Sequence, residues 1–448
     1  MNFSVLGPGE LGVACALALL ANHPSRTVSL LSRDGKAGGA ATSAGFTRRI
    51  PPRLRIVSYP TAAEREWPHA VFLCTPAESL IAPSPSFSST SPVRTFLRDW
   101  RDRKGDTGGG KGPFSFLAVF TRGLSTAGVT PVDLACQEML PGGEVEGEEG
   151  ERRGMPLILS ATGPIFAREW AAQSNPPGSP SSSPEQGLTP DQESETRSDP
   201  PRQFSGTALV FALNHATSDA GLVSALRRHL QEDLFRREAV TLLEGPDSGA
   251  EVKLINACLP LCAFGAGLVS NYYAGSNASA LAAYAQHALR ATTGLINGLL
   301  GRTVDTPLPP CLCSTLCAVC SHYGLREFVL GRRFDFHFKK AFALQAVYPG
   351  QTHTAFTSTV NGLHTLMRAR SVSSPFYEVI MDTFSTLLRA SVVGAGLVKE
   401  GYYDYRQPGS SPFLEHAMKI DEAVFSHDEV AFEAAKSRFI STISQDPK

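Results

Sequence analysis

The first twelve residues constrain the fold of this chain more than any other part. A short apolar run, Asn2 to Leu6, leads directly into Gly7-Pro8-Gly9-Glu10-Leu11-Gly12, and a helix rich in small residues follows to Ala21. In a strand–turn–helix unit with this Gly-x-Gly-x-x-Gly spacing, the first glycine permits a tight turn and the third lets the helix pack on the strand. The second admits a pyrophosphate close to the backbone. We therefore predict that these six residues bind a dinucleotide at the helix N-terminus.

The residues after the second predicted strand, Thr27 to Leu31, bear on which dinucleotide binds. Ser32, Arg33 and Asp34 stand there. An acidic residue at this point holds the ribose 2′-hydroxyl of NAD, whereas an arginine accommodates the 2′-phosphate of NADP or stacks on adenine. The adjacent Arg33 and Asp34 leave the choice open, and we expect NAD, with Arg33 at the cofactor.

Strand and helix patterns alternate over the first half of the chain and then give way to helix alone. Further strands are predicted at 70–74, 114–120, 156–160 and 208–212. Periodic Ala-, Leu- and Cys-rich stretches follow at 250–270, 277–300, 311–330, 353–370 and 374–397. The pattern predicts an α/β fold, with an N-terminal Rossmann-type parallel sheet and an all-helical C-terminal domain. We place a dinucleotide-binding domain at 1–246 and a helical substrate-binding domain at 247–448.

Three segments have a composition foreign to the rest: 83–113, 141–154 and 174–203. They are rich in Ser, Pro, Gly or charged residues, and we interpret them as disordered surface insertions.

Charge and composition argue against several classes of partner. The net charge of −1 gives no general attraction for nucleic acid or an anionic membrane. The apolar stretch 254–270 contains Asn256 and Pro260, so we expect a buried core helix and no membrane span. Buried, reduced cysteines and the absence of a leader pattern predict a cytoplasmic protein. Four further cysteines are expected to pack in a helix and not to bind metal: Cys311, Cys313, Cys317 and Cys320.

Seven segments, in chain order, carry a resemblance to a known family. They span 71–80, 118–128, 157–170, 249–268, 275–289, 320–334 and 359–380, and include a strand followed by Pro76, an Arg-Gly pair at Arg122, and Gly163-Pro164 followed by Phe166, Ala167 and Glu169. Taken together they resemble NAD-dependent glycerol-3-phosphate dehydrogenases over nearly the whole chain outside the insertions.

The resemblance implies reversible hydride transfer between NADH and the C2 carbonyl of dihydroxyacetone phosphate, a small phosphorylated substrate. It implies that Lys253 is the catalytic acid and base, that Arg326 binds the substrate phosphate, and that Arg122 is an auxiliary catalytic cation. It also places Pro76 and Ala167 at the cofactor. A lysine inside an apolar helix is costly unless its charge is used or paired, which agrees with a role for Lys253. A homodimer is left open.

The substrate half departs from the family pattern more than the cofactor half does. Arg122 replaces a lysine, Thr315 replaces an acidic residue that would orient the catalytic lysine, and Glu327 replaces an asparagine beside the phosphate-binding arginine. A carboxylate beside a phosphate is repulsive. Two alternatives therefore stand: a non-catalytic dinucleotide-binding relative, and a dehydrogenase of another small hydroxy or keto substrate.

Overall fold

The structure is a computed structural model of the single chain. It describes residues 3–22, 27–32, 53–59, 68–75, 79–80, 91–106, 115–139, 156–164, 208–214, 220–235, 239–273, 278–323, 325–333 and 355–394.

An eight-stranded sheet forms the first half of the described chain. Its central strands are almost fully buried, which explains their continuous apolar runs. The strands are β1 (Phe3–Leu6), β2 (Val28–Ser32), β3 (Leu54–Ser58), β4 (Ala70–Leu73), β5 (Phe116–Val119), β6 (Leu157–Thr162), β7 (Leu209–Leu213) and β8 (Val240–Leu243). Their order across the sheet is β3-β2-β1-β4-β5-β6-β7-β8. The prediction of a Rossmann-type sheet is confirmed.

Pairing within the sheet differs from the prediction in one place. All neighbouring strands are parallel except β6 and β7, which are antiparallel, with Thr162 opposite Val210. A continuous apolar run is compatible with either strand direction, so the sequence pattern could not distinguish parallel from antiparallel pairing. The sequence also gave no expectation for β3 and β8. These are the two edge strands, and their partly exposed residues weaken the apolar signal.

Helices cover the sheet and make up the second half. Those of the first half are α1 (Glu10–Asn22), α2 (Pro92–Asp106), α3 (Pro131–Met139) and α4 (Ala220–Arg228), which continues into a π-helical turn at His229–Leu234. The second half has α5 (Ser248–Tyr272), α6 (Ala278–Leu300), α7 (Pro310–Ser321), α8 (Arg326–Arg333), α9 (Ala355–Ala369) and α10 (Pro375–Gly394). The predicted stretch 311–330 is thus two helices, α7 and α8.

Helix α5 is the core of the helical half. It is long and apolar enough to cross a membrane by composition, but 89% of its most apolar window is buried inside the protein. The prediction of a buried core helix at 254–270 is therefore confirmed.

The interpretation of 83–113 as a disordered insertion is wrong for residues 92–106, and 83–90 and 107–113 lie outside the described residues. Helix α2 lies there, and Val93, Phe96, Leu97 and Trp100 are buried against the sheet. The indole Nε1 of Trp100 donates a hydrogen bond to the Pro68 carbonyl at 3.0 Å. These four apolar residues have the i, i+3, i+4, i+7 spacing of one helix face, which the surrounding basic residues obscured. The other two proposed insertions, 141–154 and 174–203, lie outside the described residues.

A buried carboxylate ties α2 to α3. Glu138 on α3 is 4% exposed and pairs with both Arg94 and Arg98, while Arg101 donates to its main-chain carbonyl at 2.8 Å. Burial raises the pKa of Glu138, but the hydrogen bonds from Arg98 and Arg94 outweigh burial and hold that pKa below its ordinary value. The ionised form is therefore the one that stabilises this corner of the fold.

We predict that Glu138→Gln lowers the free energy of unfolding by about 1–3 kcal/mol at pH 7, because two arginines lose their partner. A depressed pKa adds stability above the unfolded value, about 4.3, and loses it as the pH falls through the folded value. The variant should accordingly lose less stability than the wild type between pH 6 and pH 3. Urea unfolding at several pH values measures both effects.

Asp102→Asn is the matched control. Asp102 lies on α2 in an exposed pair with Arg101 and should change stability by less than about 0.5 kcal/mol. Equal losses in the two variants would contradict the buried role of Glu138.

Candidate functional site

The glycine turn between β1 and α1 has the geometry that its spacing predicts. Gly7 has a φ of +110°, in the left-handed region. A Cβ on Gly12 would lie 1.8 Å from the Gly7 carbonyl oxygen, so only glycine lets α1 start this close to the strand. A Cβ on Gly9 would have nothing within 4 Å, so this backbone faces open space. The turn therefore leaves room for a pyrophosphate at the N-terminus of α1.

The turn lies at the carboxyl edge of the sheet, where the strand order reverses. A Cβ on Gly7 would lie 3.0 Å from the main-chain atoms of Cys74 and Thr75, which directly follow β4. The Thr121 hydroxyl, just after β5, donates to the Thr75 carbonyl at 2.8 Å. Ligands of open α/β sheets bind in the crevice at such a switch point. Here the ends of β1, β4 and β5 form one continuous edge.

Two buried hydroxyls at this edge favour a polar ligand. The Oγ1 atoms of Thr75 and Thr162, at the ends of β4 and β6, have no hydrogen-bond partner within the described part of the chain. A buried hydroxyl without a partner costs about 1–3 kcal/mol. A dinucleotide, with many donors and acceptors, is a ligand that fits both the turn and these groups.

Three of the predicted cofactor contacts cannot be placed. Arg33, Pro76 and Ala167 lie outside the described residues, and their roles stay predictions. Pro8, Glu10 and Leu11 are half-buried at the mouth of the turn.

Lys253 lies on the first turns of α5 and is paired. Its side chain is 17% exposed, and Nζ is 2.6 Å from Oδ1 of Asp133 on α3. One turn further along α5, Asn256 donates from Nδ2 to the Ala161 carbonyl of β6 at 2.9 Å. Lys253 is therefore half-buried beside the carboxyl edge and does not point freely into solvent.

Asp133 is a site residue that the sequence analysis missed. Thr130 caps α3: the Asp133 amide donates to Thr130 Oγ1 at 3.2 Å, and that hydroxyl donates to Asp133 Oδ2 at 2.6 Å. The Thr-x-x-Asp spacing before a helix is a signal for such a cap. It could have located the start of α3, but nothing in it points to Lys253, which is 120 residues away in the chain.

Arg122 is the first cation after β5. It is half-buried, and Nη2 donates to the Gly163 carbonyl at the end of β6 at 3.0 Å. Burial lowers the pKa of Arg122, and the charge of Glu327 raises it. Since the ordinary pKa of arginine is far above neutrality, the guanidinium remains charged.

A cleft opens beside Arg122, between the end of β5 and the helical half. About 430 Å³ of empty space lies within and at the open mouth of this cleft, and part of it is bulk solvent. Its polar lining is Arg122, Glu327 and Thr359, and its apolar lining is Leu259, Pro260, Ala263, Val319, Leu325 and Phe356. A small substrate with an anionic group and a short carbon body fits such a cleft.

The two residues at the start of α8 occupy different places. Glu327 lines the cleft, while Arg326 is exposed and is not part of its lining. The structure thus brings Arg122 into the lining of the cleft, whereas Lys253 and Arg326 are not part of that lining. The assignment of Arg326 to a substrate phosphate stays a prediction.

The cysteines of the 311–320 stretch lie on α7, where Cys320 is buried and the others are half-buried. Burial raises the pKa of Cys320, Cys311 and Cys313. In the described ranges, no group of three His, Cys, Asp or Glu side chains is placed to hold a metal ion.

The sheet, the glycine turn and the helical half define a Rossmann-type α/β fold followed by a helical domain. Similar solved structures include glycerol-3-phosphate dehydrogenase from Coxiella burnetii, with 17% identity, a TM-score of 0.53 and coverage of 89% of this chain and 99% of that one. They also include glycerol-3-phosphate dehydrogenase from Saccharomyces cerevisiae, with 14% identity, a TM-score of 0.47 and coverage of 91% and 97%. No family model and no curated protein sequence matches the chain. At 17% identity, the similarity to the Coxiella burnetii structure establishes the fold alone.

We predict that Gly9→Ala weakens NADH binding at least about tenfold, equivalent to 1.4 kcal/mol, because the methyl group enters the space next to the turn. The free energy of unfolding should change by less than about 0.5 kcal/mol, since the added Cβ meets no protein atom within 4 Å. Fluorescence titration with NADH and urea unfolding measure the two quantities.

Gly294→Ala on α6 is the matched control, because its added Cβ first meets Val304 at 3.9 Å, in the helical half. It should leave NADH binding unchanged. A Gly9→Ala protein that binds NADH as tightly as the wild type would exclude this turn as the pyrophosphate site.

Proposed function

We propose that this protein is an NAD-dependent oxidoreductase that interconverts dihydroxyacetone phosphate and glycerol 3-phosphate. One observation carries the proposal: the glycine turn and Arg122 lie at the carboxyl edge of one sheet, and Lys253 lies one helical turn before Asn256, which is hydrogen-bonded to that edge. The fold shared with the Coxiella burnetii glycerol-3-phosphate dehydrogenase supports the choice of substrate.

The chain would hold the dinucleotide through the Gly7–Gly12 turn and the N-terminus of α1. When bound, the nicotinamide supplies or accepts the hydride at the substrate's C2. The remaining requirement is a proton for the ketone oxygen, which becomes an alkoxide as the hydride arrives. Lys253 carries that proton on Nζ and takes it back in the reverse direction.

Arg122 would bind the negative end of the substrate. Its hydrogen bond to Gly163 uses one N–H of the guanidinium, and an arginine has five. The others are available for phosphate oxygens, for which the planar fork is suited.

Glu327 supports a second candidate substrate. Its carboxylate shares the cleft with Arg122 and opposes a doubly charged phosphate. A small hydroxy or keto compound of lower negative charge, such as a 2-oxo acid, would meet less repulsion there.

We predict that Lys253→Met lowers kcat for dihydroxyacetone phosphate reduction by about 10²–10⁴-fold, the usual contribution of a proton donor. The NADH dissociation constant should stay within about twofold, because the glycine turn is unchanged; a factor of two is about 0.4 kcal/mol. NADH absorbance and fluorescence titration measure the two values.

Undiminished turnover by Lys253→Met would remove Lys253 from the mechanism. A wild-type protein that binds NADH but reduces neither dihydroxyacetone phosphate nor a series of 2-oxo acids would refute the proposal and favour the non-catalytic relative.

We predict that Glu327→Gln lowers the KM for dihydroxyacetone phosphate by about tenfold, or 1.4 kcal/mol, through loss of charge repulsion. The KM for a singly charged 2-oxo acid should fall less. Asp305→Asn, an exposed change outside the cleft lining, is the control and should alter neither KM. Equal effects of Glu327→Gln on both substrates would show that the phosphate does not bind beside Glu327.

A further inference from the structure

The lysine of the candidate site is held by a carboxylate from another helix. Lys253 Nζ on α5 lies 2.6 Å from Asp133 Oδ1 on α3. The side chains are 17% and 38% exposed, so the pair is partly shielded from water. A lysine side chain has about 2 kcal/mol of rotamer entropy, and a free one would not keep its ammonium in one place.

The carboxylate is itself fixed in orientation. Thr130 donates to Oδ2 of Asp133, which leaves Oδ1 for the lysine. The Thr130 oxygen also accepts the Asp133 amide hydrogen, so the side chain is held from two directions. Rigid support of this kind locates an ammonium more sharply than an exposed ion pair does.

Within the described ranges, Asp133 is the carboxylate that pairs with Lys253. Asn214 donates to the Cys136 thiol at 3.0 Å, one turn beyond Asp133 on α3. Burial raises the pKa of Cys136 to about 12, with a further increase from Asp133 and an opposing effect of Lys253. The thiol is therefore neutral at pH 7, and the carboxylate is its charged neighbour.

Thr315 cannot take this part. It is buried on α7, and its hydroxyl donates to the Cys311 carbonyl of its own helix at 2.8 Å. A threonine engaged in this way has no negative charge to offer an ammonium.

We propose that Asp133 is a positioning residue: it holds the Lys253 ammonium at the carboxyl edge so that its proton can reach the substrate oxygen. The inference rests on the proposed function, because it assigns a partner to the proton donor of that reaction. The step transfers one proton from Nζ to the alkoxide oxygen, and Asp133 gains and loses nothing.

The test compares Asp133→Asn with the wild type. Asparagine keeps the shape and a bond to Thr130 but removes the charge that holds the lysine. We expect kcat to fall by about 10²-fold, the loss typical of a misplaced catalytic group, while the KM values for substrate and NADH change less than about twofold. Thr130→Val should give a smaller loss of kcat in the same direction, because Asp133 then loses one of its supports.

Glu251→Gln is the matched control on the same helix. Glu251 is buried, accepts from Arg302 Nη1 at 2.5 Å, and does not line the cleft. Removing the charge of Glu251 should lower the melting temperature without lowering kcat. If Asp133→Asn behaves in the same way, Asp133 is only a helix cap and the proposal is overturned.

A second measurement does not depend on turnover. Trace labelling of lysines with acetic anhydride, followed by peptide mass spectrometry, reports how freely the Lys253 amine reacts. Its labelling rate should rise several-fold in Asp133→Asn and stay unchanged in Glu251→Gln. An unchanged rate in Asp133→Asn would show that the pair does not exist in solution, which overturns the proposal.

The turnover rate and the labelling rate of Lys253 together distinguish failure of this inference from failure of the proposed function. A wild type without turnover, but with Asp133-dependent labelling, would refute the function and the catalytic purpose of the pair while leaving the pair itself established. Normal turnover with Asp133-independent labelling would refute only the role of Asp133.

Discussion

Helix α5 is hydrogen-bonded to the carboxyl edge of the sheet at Asn256, and the positions of Lys253 and of the cleft beside Arg122 depend on that attachment. Asn256 donates to Ala161 at the end of β6, and its own carbonyl accepts the amide of Gly123, just after Arg122, at 3.1 Å. These two bonds set one point of a long apolar helix against the ends of β5 and β6. Lys253 lies one turn before that point, and Pro260, in the wall of the cleft, lies one turn after it.

Helix α5 also packs in close backbone contact with α8, and both helices line the cleft beside Arg122. A Cβ on Gly267 would lie 2.2 Å from the Phe328 carbonyl oxygen, and a Cβ on Gly331 would lie 2.1 Å from that of Phe264. Helices α5 and α8 can approach this closely only because both residues are glycine. That approach puts Glu327, at the start of α8, into the cleft. The position of Glu327 opposite Arg122 therefore follows from packing in the helical core.

Short-range sequence patterns predicted most of the fold. The prediction of the candidate site was less complete, because it depends on contacts between residues that are far apart in the chain. Continuous apolar runs located six strands, and the glycine spacing located the dinucleotide turn. The edge strands β3 and β8 were missed because they bury only one side, and α2 was missed because basic residues dilute its apolar face around Trp100. Lys253 and Arg122 could be chosen from sequence. Asp133 could not be assigned to Lys253, because their contact joins α3 and α5 across 120 residues.

Two of the cations chosen from the sequence, Lys253 and Arg122, have a carboxylate for a neighbour. Lys253 is paired with Asp133, and the charge of Glu327 acts on Arg122. In these two pairs the positive charge of each cation is matched by a neighbouring carboxylate before a substrate enters. An anionic substrate must compete with Glu327 for Arg122, so its binding energy depends on what the apolar wall around Phe356 adds. The Lys253–Asp133 pair differs from this, because Asp133 orients the ammonium and does not compete with the substrate's anionic group for Arg122. Under the proposed function, Glu327 would select what binds, and Asp133 would position the proton that the bound substrate receives.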